Sequence, residues 1–262
     1  MIVLIIPIYN FSKQLPTVLE SLTDWKNSFE KNKLRVIFSD DGSTDSTYKM
    51  LVEFGSKNSE WFEAITAKKN LGKGAAIRAG FSAALKHEPE LIFFTDCDLH
   101  YGTKIISEKM IPLLKDNQIV ILDRSWVKSA SHQKTSRKLL TAAFKRSVSI
   151  LTGVNYSDTQ AGLKGFQAKN CKPIFEKLTL NGFSFDVEIL SIALYYRFRV
   201  AQVPVAFSEN HNFPTSSTIS FFKSSFFMLC DLFRINWNWK RGIYKSDELK
   251  KSIDDQVYKI TN

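Results

Sequence analysis

The sequence predicts an α/β fold: a mainly parallel, Rossmann-like sheet with helices on both faces and an amphipathic helical segment near the C-terminus. Three observations predict it. Short β-prone apolar runs alternate with helical patterns through the first half of the chain. Carboxylates, glycines and hydroxyl residues gather where those runs end, the edge at which open α/β sheets bind ligands. Residues 220–239 are rich in aromatic side chains interleaved with Lys and Arg.

Ile2–Ile6 reads as the first strand and Leu15–Lys31 as a helix with Pro16 in its first turn. Leu34–Ser39 is the next strand, followed by a helix over Ser43–Gly55 and a short strand at Glu63–Ala67. Lys73–His87 is helical, with Ala75, Ala76, Ala79, Gly80, Ala83 and Ala84 as a small face suited to close packing on a sheet. Glu90–Thr95 is a buried strand, Thr103–Lys115 a helix and Gln118–Leu122 a strand. The rhythm then changes. A helix at Ser136–Leu151 precedes a polar turn at Tyr156–Gln160, a strand at Leu163–Ala168, a helix at Ser184–Phe198 and a strand at Val200–Phe207. The expected organisation is a catalytic-type domain over 1–215, an amphipathic segment over 216–245 and a polar tail over 246–262.

An apolar fraction of 44% and a charged fraction of 24% in 262 residues are ordinary for a soluble globular chain able to bury a substantial core. The net charge of +10 is concentrated. Between Arg124 and Arg146 stand seven Lys/Arg and no acid, either a solvated helix face or a surface that attracts anions such as a phosphorylated substrate. Nucleic acid is not expected as a partner, because no motif accompanies the charge. Three cysteines without CxxC spacing argue against a disulfide framework or a zinc site and for a reducing compartment. The start, MIVLIIPIYN, reads as a strand and not as a signal peptide. No apolar run approaches the roughly 20 residues of a spanning helix.

Four segments are candidates for chemistry. The first is TDCDLH, residues 95–100. Asp96 and Asp98 follow an apolar strand at i, i+2, a spacing that on a strand turns both side chains to one side. Two carboxylates without clustered thiolate or imidazole suit Mg²⁺ or Mn²⁺, which leave positions open for substrate phosphates; a solvated turn is the other reading. The second is SDDGSTDST, residues 39–47. A turn with a helix cap explains Gly42, Ser43 and Asp45, but not the adjacent Asp40 and Asp41, which suit a ribose hydroxyl or a base N–H. The third is NLGKGAAIRAG, residues 70–80, where Lys73 between Gly72 and Gly74 opens a helix and suits a phosphate, unless the glycines serve packing alone. The fourth is SDTQAGLKGF, residues 157–166, either an Asx-type turn or a loop bringing Asp158 and Gln160 to the cleft, with Lys164 behind them.

Taken in order over about 240 residues, these segments resemble family-2 glycosyltransferases of GT-A fold. The resemblance is to polyprenyl-phosphate glycosyltransferases, including dolichyl-phosphate mannose synthases and, more closely, dolichyl-phosphate glucosyltransferases. It rests on IPIYN at 6–10, DDGSTDST, NLGKGAAIRAG, TDCDLH, DRS at 123–125, SR at 136–137, DTQAGLKGF, FSFDVEIL at 183–190, VAQVPVAF and DLFRINWNWKRGIY. The resemblance implies that Pro7, Tyr9, Asn10, Asp40 and Asp41 line a nucleotide pocket, with Lys73 on the donor side. It implies that Asp96 and Asp98 hold Mg²⁺ or Mn²⁺ and the donor diphosphate, with His100 as a further ligand or a hydrogen-bonding group. Arg124 and Arg137 would grip phosphates, and Asp158, Gln160 and Lys164 would border the reacting centre on the acceptor side. The sequence departs from the pattern at His100, where Gln is usual, and at ENHNFPTSS, residues 209–217, where Ser217 stands near an expected Lys.

The expected reaction is metal-dependent, inverting transfer of a hexose from a nucleotide-diphosphate sugar, UDP-glucose or GDP-mannose, to a polyprenyl or dolichyl phosphate. A hydroxyl acceptor would need a general base such as Asp158. A phosphate acceptor arrives ionised and needs cations, which the acid-free segment 124–146 supplies. Transfer to a glycan hydroxyl and non-catalytic binding of a sugar nucleotide are the alternatives. A haloacid-dehalogenase-like phosphatase fits poorly, since Leu99 and His100 stand where a Thr would follow the aspartates. Trp237 and Trp239 among cations suit a headgroup interface. The expected location is cytoplasmic, peripheral to the inner face of a membrane; a core or oligomer-packing helix is the other reading of that segment, with a second copy or a membrane protein as candidate partners.

Overall fold

The computed structural model describes residues 1–30, 33–124, 135–205 and 221–247, with side chains described except over 135–141 and 221–226. Seven strands form one sheet: β1 Ile2–Ile8, β2 Leu34–Asp40, β3 Phe62–Thr66, β4 Leu91–Phe94, β5 Ile119–Asp123, β6 Lys164–Gln167 and β7 Val200–Pro204. Their order is β3-β2-β1-β4-β6-β5-β7. All pairings are parallel except those of β6, which runs against both β4 and β5. The chain leaves β1 toward β2 on one side and reaches β4 on the other. That reversal opens a crevice beyond the carboxyl ends of β1 and β4, where such sheets bind ligands.

The helices are α1 Leu15–Lys26, α2 Thr47–Lys57, α3 Lys73–Leu85, α4 Ile111–Leu113 (entered through a π-helical turn at Ile106–Met110), α5 Thr135–Thr152, α6 Ala168–Lys177, α7 Phe185–Tyr195 and α8 Phe221–Lys240. Strand side chains alternate between two cores, as period-2 geometry requires. Val3, Ile5, Ile92, Phe94, Ile119 and Ile121 pack with α3, α6 and α7. Leu4, Ile6, Phe93, Val120 and Leu122 pack with α1, α2 and the 106–114 segment. Every one of these strand residues is fully buried, and each such side chain contributes about 1.5–3 kcal/mol. The small face of α3 has its reason at Gly80, where an added Cβ would overlap the Ile5 side chain.

The structure corrects several expectations. α1 stops at Lys26, five residues short of Lys31, where Asn27 and Ser28 turn the chain back onto Thr23 and Trp25 carbonyls. The helix expected over Thr103–Lys115 forms as a continuous helical run over residues 104–113, but its middle, Ile106–Met110, widens to a π-helical turn just before Pro112, which cannot donate to the ladder. α6 was not expected; Asn170 and Pro173 mask an apolar stripe at Ala168, Cys171, Ile174 and Phe175. β4 ends at Phe94, so Asp96 and Asp98 lie in a turn and not on the strand. In that turn Leu99 adopts φ +47° and the Leu99 amide donates to the Asp96 carbonyl at 3.1 Å.

α8 belongs to the same core as the sheet. Leu232 and Ile235 are buried in it together with Tyr244, which follows the helix. The side of α8 facing away carries Phe227, Phe233 and Trp237, 57–60% exposed, with Arg234, Lys240 and Arg241 also exposed. Among the described residues no helix is long and apolar enough to cross a membrane.

Candidate active site

Five strand termini converge on the crevice: the exits of β1, β2, β4 and β5, and the entry of antiparallel β6. The β2 exit is a tight turn closed by its own acids. Asp40 accepts from the Ser43 amide at 3.1 Å, from the Ser43 hydroxyl and from Thr66 Oγ1 at 2.6 Å. Asp41 accepts from the backbone amides of Leu71 and Gly72 at 2.8 and 2.7 Å, tying the β2 exit to the turn before α3. Gly42 sits between them at φ +73°, where a Cβ would lie 2.6 Å from the Lys69 carbonyl carbon. Only glycine fits there. Asn10, at the β1 exit with φ +49°, accepts from the Thr44 amide at 2.8 Å, while Tyr9 beside it is 44% exposed and Pro7 is buried in β1. Asp40 and Asp41 are both buried, with their oxygens engaged by the turn.

The β4 exit carries the most charged part. Lys73, the first residue of α3, places Nζ 2.5 Å from Asp96 Oδ1. Its stem passes over Phe185, with Nζ 5.8 Å from the ring centroid. Burial disfavours both charges, but the pairing outweighs it. Lys73 is held above the usual lysine range and Asp96 below the usual carboxylate range. Asp98 behaves oppositely: burial, and then the neighbouring Asp96 charge, raise its pKa. Cys97 between them is pushed up to about 12 by burial and the two carboxylates. The His100 amide donates to Asp98 Oδ1 at 3.3 Å, and its ring meets Tyr101 edge-on. Among the described residues no three His, Cys, Asp or Glu side chains form a ready-made metal cage.

At the β5 exit Arg124 grips Asp158 from the β6 entry. Its backbone amide donates to Oδ2 at 3.2 Å, Nε donates to the same oxygen at 2.5 Å and Nη2 donates to Oδ1 at 2.8 Å. Burial opposes ionisation of Asp158, yet Arg124 holds its carboxyl below the usual range. The Gln160 amide also donates to Asp158 Oδ1, at 3.2 Å. Gly162 lies against Asp96 so closely that a Cβ would overlap Oδ2, which seats the 158–162 loop directly on the aspartate turn.

Lys164, expected on the acceptor side, is fully buried beneath that loop. Its Nζ lies 2.6 Å from Asp186 Oδ1 and donates to the Ala161 carbonyl at 2.7 Å. Burial lowers the Lys164 pKa and raises that of Asp186, against their mutual attraction. Asp186 escaped the sequence reading of the site. The signal is a pair of acids, Asp186 and Glu188, in the otherwise mostly apolar helix FDVEILSIALY, where each buried charge demands partners. Ser157, whose hydroxyl donates to Asp123 Oδ2 at 2.5 Å and whose backbone amide donates to Gln202 Oε1 at 3.0 Å, is likewise not singled out by the sequence. Arg137 lies on α5, but its side chain is outside the described residues, as are residues 125–134 and the 209–217 segment with Ser217.

A family model described as Glycosyl transferase family 2 matches residues 3–177. The chain is 31% identical over 217 residues to a dolichyl-phosphate beta-glucosyltransferase of Trichomonas vaginalis, covering 79% of this chain and 65% of that protein. It is 30% identical over 262 residues to the dolichyl-phosphate beta-glucosyltransferase of Homo sapiens, covering 94% of this chain and 78% of that one. The chain thus spans just under two thirds of the first relative's length. Among solved structures, glucosyl-3-phosphoglycerate synthase from Mycobacterium tuberculosis, in complex with Mn²⁺, UDP and glucosyl-3-phosphoglycerate, is similar at a TM-score of 0.60. The identity is 16%, over 89% of this chain and 80% of that one. Mannosyl-3-phosphoglycerate synthase from Rubrobacter xylanophilus is similar at a TM-score of 0.61 and 12% identity, over 92% of this chain and 75% of that one. At these identities the likeness is one of fold.

Proposed function

The chain belongs to glycosyl transferase family 2 and has its GT-A fold, and from that membership we propose that it is a metal-dependent, inverting hexosyltransferase. The donor is a nucleotide-diphosphate sugar, UDP-glucose before GDP-mannose, and the acceptor is a polyprenyl or dolichyl phosphate. The observation that carries the acceptor assignment is the state of Asp158. A sugar hydroxyl must lose a proton to a base. Asp158 is a poor base, because Arg124 engages both of its oxygens and keeps it ionised. A phosphate monoester needs no base, since its second pKa is about 6. The two relatives named dolichyl-phosphate beta-glucosyltransferases support the same acceptor and favour glucose.

Mg²⁺ or Mn²⁺ suits the aspartate turn. Asp96 and Asp98 stand close enough for one charge to raise the other's pKa, a repulsion that a divalent cation relieves. Two carboxylates match a cation that takes its remaining ligands from a diphosphate and water; among the described residues His100 does not group with them as a third ligand, so it would join only after rearrangement. Such a cation, when bound, neutralises the leaving diphosphate. The chain's own residues do the rest. Lys73 and Arg124 offer fixed positive charge where negative charge develops. Pro7, Tyr9, Asn10, Asp40 and Asp41 shape the nucleotide end. Asp158 and Gln160 face the reacting centre, Arg137 serves the acceptor phosphate, and Lys164 supports the loop from beneath. The sugar is attacked on the face opposite its leaving group, which inverts the anomeric carbon.

Residues 1–215 form the transferase unit in this reading, 216–245 its interfacial segment and 246–262 a tail. The exposed Phe227, Phe233 and Trp237 with Arg234, Lys240 and Arg241 suit the cytoplasmic face of an anionic membrane, where aromatic rings sit at headgroup level. Incubation with a panel of sugar nucleotides, Mn²⁺ and a short polyprenyl phosphate tests the reaction. Glucosyl phospholipid from UDP-glucose is the expected product. Transfer only to a free glycan would overturn the acceptor, and nucleotide binding without turnover on any acceptor would overturn the activity. In liposome flotation, undiminished binding of a Phe227→Ser/Trp237→Ser double variant to anionic vesicles would remove the membrane role.

A further inference from the structure

The turn that carries Lys73 to Asp96 is seated on another backbone. That backbone is the connection between α6 and α7. The Gly74 amide donates to the Asn181 carbonyl at 2.7 Å. At Gly72 and Gly74 an added Cβ would press on the Asn181 and Leu180 carbonyl oxygens, so the turn lies flat on residues 180–181. Arg78, one turn into α3, completes the clasp. Its Nη1 donates to the Leu180 carbonyl at 2.6 Å and its Nη2 to the Asn181 side chain.

Residues 179–181 are held from the opposite side by one carboxylate. Glu188, fully buried on α7, accepts at Oε1 from the Thr179 amide at 2.9 Å and the Thr179 hydroxyl at 2.7 Å. Its Oε2 accepts from the Leu180 amide at 3.0 Å. The remaining donor to Oε1 comes from beyond α8: the Tyr244 hydroxyl, at 2.7 Å. Asn238 on α8 donates both to that hydroxyl at 2.9 Å and to Thr179 Oγ1 at 3.0 Å. Four donors thus converge on a buried anion, and charge-assisted bonds of this type are about twice as strong as neutral ones.

We propose that Glu188 and Tyr244 are positioning residues of the donor site: together they fix the Thr179–Asn181 backbone, on which the Gly72–Gly74 turn rests, and so set Lys73 against Asp96. Neither touches the donor. The C-terminal segment therefore contributes to nucleotide-sugar binding from inside the fold, separately from any membrane contact. This rests on the donor-site reading given above.

The test is calorimetric binding of UDP with Mn²⁺ to the full chain, with steady-state kinetics for the sugar nucleotide. Tyr244→Phe removes one hydroxyl and keeps the ring. Loss of one such bond is expected to raise the UDP Kd and the donor KM about threefold to tenfold, with kcat less affected. Thr179→Val, which loses the hydroxyl bond to the same carboxylate, should act in the same direction. Asn236→Ala is the control. It removes a bond from the same helix, Nδ2 to the Leu151 carbonyl at 2.8 Å, that does not reach Glu188, Tyr244 or residues 179–181. It should lower Tm and leave the Kd alone. If Tyr244→Phe and Thr179→Val lower Tm but bind UDP like the wild type, the two residues are merely structural and the inference is wrong. If the wild type itself binds no nucleotide, the functional reading fails instead. Should Tyr244→Phe not fold, Thr179→Val decides alone.

Discussion

Lys73 Nζ and Asp96 Oδ1 lie 2.5 Å apart across the crevice, joining the first residue of α3 to the turn after β4. The ammonium neutralises the Asp96 carboxylate, and in the proposed reading the same charge meets the donor diphosphate. Lys73→Met is expected to lower kcat/KM for the sugar nucleotide about 100-fold, the scale seen when one preorganised donor is removed. Initial rates at subsaturating donor measure it. A loss confined to acceptor KM would assign Lys73 to the other substrate.

Arg124 is expected to resist conservative replacement. Its side chain engages both oxygens of Asp158, and an ammonium at the same place can supply only a point contact. Arg124→Lys should cost about tenfold or more in kcat/KM while leaving the thermal midpoint close to wild type. It should also let the Asp158 carboxyl rise toward the ordinary carboxylate range, since the guanidinium is what holds it down, a change that NMR titration of that carboxyl reads.

The Lys164–Asp186 pair predicts a thermodynamic asymmetry. Asp186→Leu alone leaves a buried ammonium and should destabilise the chain by about 3–5 kcal/mol. The double variant Lys164→Met/Asp186→Leu should recover most of that loss, because two apolar side chains replace two desolvated charges. Urea unfolding of the three proteins measures both. Lys164 also anchors the Ala161 carbonyl of the 158–162 loop, so the double variant restores stability without restoring that bond.

A pH effect is expected at Asp45. The slight burial of its carboxyl opposes ionisation, but hydrogen bonds from Thr47 and Ser12 outweigh it and lower the pKa from 3.8 to about 2. The folded pKa is the lower one. The stabilisation is therefore complete above pH 3.8 and lost as pH falls toward about 2. Asp45 is exposed, so the effect is small. Asp45→Asn should flatten the acid limb of stability over that interval in thermal melts, and an unchanged limb would assign the acid sensitivity elsewhere.

The fold was legible because its strands and amphipathic helices repeat with their own periods, and the aspartates stood out after a clean apolar run. What the sequence hid required a partner to become visible. Lys164 looks like a cleft residue until its register is known. Paired between Phe94 and Ile121, both core residues, it points toward α7 and Asp186. The antiparallel sense of β6 leaves no mark on a four-residue strand. The turn at Asp96–Leu99 puts a leucine, not a glycine or asparagine, at positive φ, so beyond its two aspartates little in the sequence marks that the strand stops at Phe94. The bonds that occupy Asp40 and Asp41 depend on Ser43, Thr66 and the 71–72 amides, which only the folded chain brings near them.

The reversed direction of β6 has a practical consequence for anyone re-engineering selectivity. Because its entry, and not its exit, borders the crevice, the short stretch 157–163 is clamped at one end by the Ser157–Asp123 bond and at the other by a strand zipped on both edges. Any replacement for that stretch must therefore keep its length and retain glycine at 162, where a Cβ would overlap the Asp96 carboxylate, or the change is felt across the crevice.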